Sequence, residues 1–271
     1  MSRDEYVRCP VCGGDSWRTV INGSGFRIDE CVRGCIGRTV PPPDRPVGLP
    51  AGVRVEDLAG LDVRKSGHFR IAGEILDLVG RFQPKGRLLD IGCGFGHLLK
   101  LAVLRGYAAV GIDACPAAAE FVRAACGIEP VIGQFPGYAF EDCSFDVLAM
   151  NHVLEHVPEP AMALSESARI LKPGGVLAVC APNFDSLMRR IRGSGWEGLK
   201  PSQHVWQFSV RSLLGLVLAA GLTPVTARCG SLDYPRGPRR LPKWLALRLA
   251  LTTARLLRMG DNAIVLARRR S

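Results

Sequence analysis

No stretch of this 271-residue chain holds the roughly 18–20 consecutive apolar residues that crossing a bilayer requires. The start, MSRDEYVRCP, has none of the apolar core of a secretory signal. Together these absences place the chain, as an expectation, in the cytoplasm. Acidic side chains are the scarcer charge: 25 Asp and Glu face 35 Lys and Arg, for a net charge of +10. That sign favours an anionic partner such as nucleic acid, a phosphorylated substrate or an anionic membrane, or else simple solubility with a basic tail at Arg268, Arg269 and Arg270. The length suits one doubly wound α/β domain plus a small extra module.

Disulfides are not expected in the cytoplasm, so the spacing of the ten cysteines carries the information. Cys93, Cys115, Cys126, Cys143, Cys180 and Cys229 stand singly and read as small core residues. Cys9 and Cys12 of CPVC, and Cys31 and Cys35 of CVRGC, form two close pairs 18 residues apart, in a segment where WRTV and FRIDE are candidate short strands. Four thiolates so spaced suit tetrahedral structural zinc, and a segment this small needs a staple to fold. The second pair has three intervening residues where ribbons usually have two, which leaves another metal or a redox role open. The run VPPPDRPVGLPAG at 40–52 reads as a stiff spacer. We therefore expect a zinc-ribbon-like module over 1–40, a linker over 41–52 and the main domain over 53–271.

The main domain opens with helical patterns over 53–82, ahead of LLDIGCGFG at 88–96. Arg87 to Ile91 reads as a buried strand, Gly92, Gly94 and Gly96 as a tight turn, and His97 to Arg105 as a helix. A second strand ends at Asp113, 23 residues after Asp90. Its carboxylate is placed to accept from a ribose diol, as in dinucleotide-binding folds. Asp90 decides the ligand class: a carboxylate directly before the turn repels a pyrophosphate and suits a cation. S-adenosylmethionine (SAM) carries a sulfonium and an ammonium and no phosphate. Cys93, Gln134 and Asn151 complete the expected cofactor-binding set.

On these residues the chain resembles the class I SAM-dependent methyltransferases. SFDVLAMNHVLEHV at 144–157 is similar to the family's fourth strand and the helix entry after it, and RILKPGGVLAV at 169–179 to a helix end, turn and fifth strand. APNFDSL at 181–187 and HVWQFSVRSLLGLVLAAGL at 204–222 resemble the branch that modifies quinone precursors, sugars or glycans and other small molecules. The resemblance implies an α/β fold with a Rossmann-like seven-stranded sheet, and methyl transfer from SAM. In the ubiquinone-pathway branch a Glu-x-x-Glu-His pattern goes with a divalent cation. The matching residues here are His152, Glu155 and His156, so an imidazole replaces the first carboxylate. That departure disfavours magnesium and leaves His152 or His156 as a general base, with His204 a third catalytic candidate.

The segment 187–203 corresponds to the family's lid over the acceptor, with GSGWEG at 193–198 as a hinge, and Trp196, Trp206 and Phe208 available either to stack on an acceptor or to pack. The basic residues of 64–70 touch substrate or line a solvated helix face. A helix over 241–259, with Arg248, Thr252, Arg255 and Arg258 as its polar stripe, lies on an anionic membrane surface, or packs as a lid or a homodimer contact. The leading function is an O-methyltransferase for a small-molecule, glycan or lipid-linked acceptor. A nucleic-acid methyltransferase and a non-catalytic SAM-binding protein are the alternatives. Against the former, Asn151 and His152 stand where an Asn-Pro-Pro-Tyr motif is expected.

Overall fold

The computed structural model describes residues 8–43, 67–230 and 259–270. Most of the spacer, the helical pattern before position 67 and the insertion up to 258 lie outside the described residues.

The main sheet starts from RLLDI, which forms β4 (Arg87–Ile91) over the span its apolar run predicts. Ahead of it in the chain come the three strands of the cysteine module: β1 (Trp17–Gly23), β2 (Phe26–Cys31) and β3 (Gly37–Val40). The next strands are β5 (Ala108–Asp113), β6 (Val131–Ile132), β7 (Phe145–Asn151) and β8 (Leu171–Pro182). β9 (Trp206–Gln207), β10 (Leu222–Gly230) and β11 (Asn262–Arg269) complete the set. The seven-stranded sheet runs β10-β11-β8-β7-β4-β5-β6. β4, β5, β6, β7 and β8 pair in parallel, and β11 enters antiparallel between β8 and β10. The order reverses beside β4, whose neighbours are β5 and β7. At such a switch point the carboxyl ends of the strands open a crevice for ligands.

The strands are apolar on both faces, as a sheet covered by helices on both sides requires. In β8, Leu177, Val179 and Ala181 join the core that holds Leu164 and Leu213, whereas Val176, Ala178 and Cys180 join the core that holds Ile75 and Leu98. The first two helical residues belong to α4 (Pro160–Ile170) and α6 (Val210–Ala219). The second pair belongs to α1 (Gly67–Val79) and α2 (His97–Leu104). α3 (Ala118–Cys126) packs Val122 against Cys93 and Leu99, and α5 (Leu187–Arg192) comes after β8. The Lys-Pro-Gly-Gly run of 172–175, expected as a turn, lies within β8 as a bulge. Pairing jumps from Phe145↔Leu171 to Val147↔Val176 while Gly174 takes φ +76°.

The cysteine module is an antiparallel sheet closed by a Ser24–Gly25 turn, with Gly25 at φ +76°. Its fourth strand comes from the main domain: β9 pairs with β3 through Gly37↔Gln207 and Arg38↔Trp206. Cys9, Cys31 and Ile36 share a continuous core with Val205, Trp206, Phe208, Leu213 and Leu216.

Candidate active site

The turn after β4 is held from below. Gly92 N donates to Ile112 O at 2.7 Å, Cys93 N to the same oxygen at 3.2 Å, and Gly94 N to Asp113 Oδ2 at 2.9 Å. Asp113 Oδ1 accepts from Cys115 N at 2.8 Å. A carboxylate offers about four lone-pair sites, so Asp113 clamps the loop and still has room to accept from a ribose. Gly92, Gly94 and Gly96 all have positive φ. A Cβ on Gly92 would lie 2.5 Å from Val153 Cγ2, so the turn touches the segment after β7 directly. Asp90 is 3% exposed, and burial first, then the charge of Asp113, push its pKa well above the ordinary carboxylate range. A buried carboxyl whose charged neighbour is another carboxylate fits a cationic ligand. The cysteine of the turn contributes its backbone: Cys93 Sγ packs toward Gly111, and burial raises its pKa. Gln134 is exposed after β6, and Asn151 at the end of β7 carries a buried Oδ1 without a hydrogen-bond partner.

Past Asn151 the chain turns through His152, a non-glycine at φ +58°, into a short 3₁₀ segment, Leu154–His156. Such strain concentrates at functional sites. Glu155 is 1% exposed and sits among three histidines. Its Oε1 lies 3.2 Å from His152 Nδ1, and its Oε2 is buried without a partner. Burial opposes its charge, yet His152 and, further off, His204 and His156 outweigh it and hold its pKa at about 2. Burial likewise opposes charge on His152, but the Cys180 sulfur and Glu155 outweigh it and its pKa is raised. His204 differs. It is 2% exposed, and burial, partly offset by Glu155, lowers its pKa to about 4, so the ring is neutral. His204 Nδ1 lies 3.0 Å from Gly198 O and His156 Nδ1 lies 3.1 Å from Gln203 O. A carbonyl only accepts, so both rings donate from Nδ1, and the neutral ring of His204 keeps its Nε2 lone pair. The two rings meet edge to face at 4.7 Å. Glu155, His156 and His204 each bring a ligating atom within 4.8 Å of the others, a donor set that suits a nitrogen-binding transition metal better than magnesium.

The four cysteines of the module also converge, with all sulfurs within 4.8 Å and Cys12 Sγ 3.6 Å from Cys31 Sγ. A tetrahedron of about 2.3 Å zinc–sulfur bonds has edges of about 3.8 Å. Each pair lies on a tight turn, with Gly13 N donating to Cys9 O and Gly34 N to Cys31 O, and both glycines at positive φ. Gly34 absorbs the extra residue of the second pair. Burial pushes Cys9 to about 12 and Cys35 to about 11, while the Gly14 amide and the neighbouring thiols overcome burial at Cys12 and bring it to about 7.

The profile of the family described as a methyltransferase domain matches residues 65–227. The chain belongs to the SAM-dependent methyltransferases. This methyltransferase is similar to a ubiquinone biosynthesis O-methyltransferase of Cereibacter sphaeroides, 33% identical over 151 residues covering 51% of this chain and 61% of that protein. It is also similar to the malonyl-acyl-carrier-protein O-methyltransferase of Serratia marcescens, 25% identical over 61% of this chain and 65% of that one. The chain thus spans less than two thirds of the length of these relatives. Among solved structures, a chain of the Haloferax volcanii complex between the Trm112 methyltransferase activator and a methyltransferase superposes with a TM-score of 0.61 at 20% identity, covering 80% of this chain and 93% of that one. A SAM-dependent methyltransferase from Thermotoga maritima, described as a possible histamine N-methyltransferase, gives 0.56 at 22%, covering 75% and 91%. Both share the fold.

Of the two roles open to the aromatics around the lid segment, the geometry gives packing. Trp196, Trp206 and Phe208 do not present faces for stacking: they are 2%, 2% and 1% exposed, with Trp196 Nε1 bonded to Asp261 and Trp206 Nε1 to Pro158 O. They pack the interface between the cysteine module and the main domain. Two residues given no role from the sequence prove central: Thr39 of the module and Gln207 of the 204–222 run join the module to β9, and neither residue type carries a signal of that pairing.

Proposed function

We propose that this enzyme transfers the methyl group of SAM to an oxygen of a small-molecule, sugar or lipid-linked acceptor, in the cytoplasm, and that the four cysteines hold a structural zinc. The observation that carries the reading is the contact of Gly92 with Val153, which sets the cofactor turn against the segment bearing Glu155 and His156. When bound, SAM supplies an electrophilic methyl on a cationic sulfur. Asp90 would balance that positive charge, Asp113 would hold the ribose, and Asn151 Oδ1, buried without a partner, would accept from the ligand. The Nε2 of His156, a half-buried ring oriented by Gln203 O, would take the acceptor's hydroxyl proton as that oxygen bonds to the methyl carbon, the methyl–sulfur bond breaking and its electron pair returning to sulfur as a neutral thioether. Glu155 stabilises the imidazolium that forms. His152, already the ionic partner of Glu155, is the least suited of the three to act as base, and His204 keeps His156 in place. Reduced thiols of the cytoplasm keep the cysteines available to metal.

The test is methyl transfer from labelled SAM to pools of phenolic, sugar and lipid-linked hydroxyl acceptors. Transfer that falls about 100-fold or more in His156→Gln, with SAM affinity unchanged, is the expected result. Label appearing in added RNA and not in the small acceptors would overturn the acceptor class, and turnover indifferent to His156→Gln would overturn the base.

A further inference from the structure

The cysteine module is wired to the acceptor-side histidines by buried backbone bonds. Cys31 N donates to Ile36 O at 2.9 Å, tying the second cysteine turn to the start of β3. In β3, Thr39 is 3% exposed and makes two bonds to the strand after the lid: Thr39 N to Val205 O at 2.9 Å and Thr39 Oγ1 to His204 O at 2.6 Å. Gln207 Nε2 donates back to Thr39 Oγ1 at 3.2 Å and to Leu199 O at 3.1 Å, so one amide bridges module and lid. From the same strand Val205 N donates to Glu155 O at 2.9 Å, and Trp206 Nε1 to Pro158 O at 3.0 Å. Beneath these bonds Gly37 admits β9 closely, because a Cβ there would stand 3.0 Å from Gln207 Cβ. The peptide of His204 is therefore held on the module's side by Thr39, and the peptide of Glu155 on the other side by Val205.

We propose that the module is an intrachain activator of the acceptor pocket, with Thr39 as a positioning residue: metal at Cys9, Cys12, Cys31 and Cys35 orders β3, and Thr39 then fixes the backbone of His204 and Val205 against Glu155 and His156. The inference rests on the zinc reading of the cysteine cluster and is separable from it. The cofactor half of the site, built on β4 and β5, shares none of these bonds. Metal loss consequently loosens the acceptor side while leaving SAM binding alone.

The experiment is amide hydrogen exchange on the full chain, as purified and after zinc is removed by a thiol-directed mercurial and chelator, alongside metal analysis and SAM binding by calorimetry. Removal of zinc is expected to speed exchange over 204–207 and 153–157 about tenfold or more, with β4, β5 and SAM affinity unchanged. Thr39→Val, which keeps the side chain's shape and loses its hydroxyl, is expected to give the same local acceleration with wild-type zinc content. Thr39→Ser is expected to restore protection. Unchanged exchange over 204–207 in Thr39→Val overturns the positioning role. Exchange that rises equally in β4, with SAM binding lost, overturns the activator role and makes the module a general stabiliser. A chain that binds no zinc overturns the zinc reading and the metal half of the proposal, and the Thr39 variants still decide the other half.

Discussion

At Asp90 a carboxyl is buried beneath a glycine turn with another carboxylate as its near neighbour, and both burial and that neighbour raise its pKa. A cationic ligand reverses the balance by favouring the ionised form. On the proposed role of Asp90 at the cation, SAM binding is expected to release a proton, with affinity rising with pH through the raised pKa of Asp90. Calorimetry in buffers of different ionisation enthalpy measures the protons released, and Asp90→Asn should abolish the release and weaken binding by an order of magnitude or more. Zero release in the wild type would count against the cation assignment. At the histidine cluster acid acts on stability. His204 has a folded pKa of about 4 against an ordinary 6.5, so its contribution to stability is complete above pH 6.5 and is lost as pH falls through about 4. Glu155, held at about 2 against 4.5, contributes above pH 4.5 and is lost as pH falls toward 2. Thermal melts should therefore peak near pH 6.5, falling below it through His204 and Glu155 and falling above it as pH climbs toward the raised pKa of His152. His204→Gln should remove the part of the fall between about 6.5 and 4 and leave the lower part.

At the scale of elements, the turn from β4 to α2 is the most constrained. Gly92→Ala must hold φ +68° with a Cβ that meets Val153 at 2.5 Å. The left-handed conformation alone costs about 1–2 kcal/mol, and the clash displaces the segment leading to Glu155. A folded variant with SAM affinity reduced about tenfold or more is expected by calorimetry, together with a melt a few degrees lower. Wild-type affinity would show that the turn does not shape the cofactor site. How far these elements were legible depends on the range of the interactions that make them. β4 reads to the residue because a central strand buried on both faces packs Leu88, Leu89 and Ile91 into the few positions before the glycine turn. The bulge in β8 reads as a turn because Pro and Gly look alike in either, and only pairing with β7 across the sheet distinguishes them. β9 is two residues long and exists because β3 lies beside it, a long-range pairing that no local pattern encodes. The same holds for the histidines. His152, His156 and His204 are visible as residue types. The burial that makes Glu155 their common centre, and divides one protonated ring from one neutral one, depends on the chain between His156 and His204 being folded back on itself.

At the scale of the whole molecule the question is whether module and methyltransferase domain come apart separately. Cys9, Cys31 and Ile36 share one hydrophobic core with Trp206, Phe208 and Leu216, and the sheet of the module is completed by β9. With metal bound, parting the two would expose that core and strip the buried bonds of Thr39, and each such bond left unmade in a buried setting costs about 1–3 kcal/mol. The zinc-loaded chain should therefore unfold in one transition, with zinc release, tracked with a chromogenic chelator, coinciding with loss of helical dichroism. On the proposed site SAM would bind only the main domain, yet at about 100 times its dissociation constant it would stabilise the folded chain by about 2.7 kcal/mol. For a domain of this size that raises the midpoint by about 5–11 °C. Because the transition is shared, the ligand should delay zinc release by the same interval. Zinc leaving at a lower temperature, untouched by SAM, would show that the module is held to the enzyme only loosely and that its core with Trp206 contributes little.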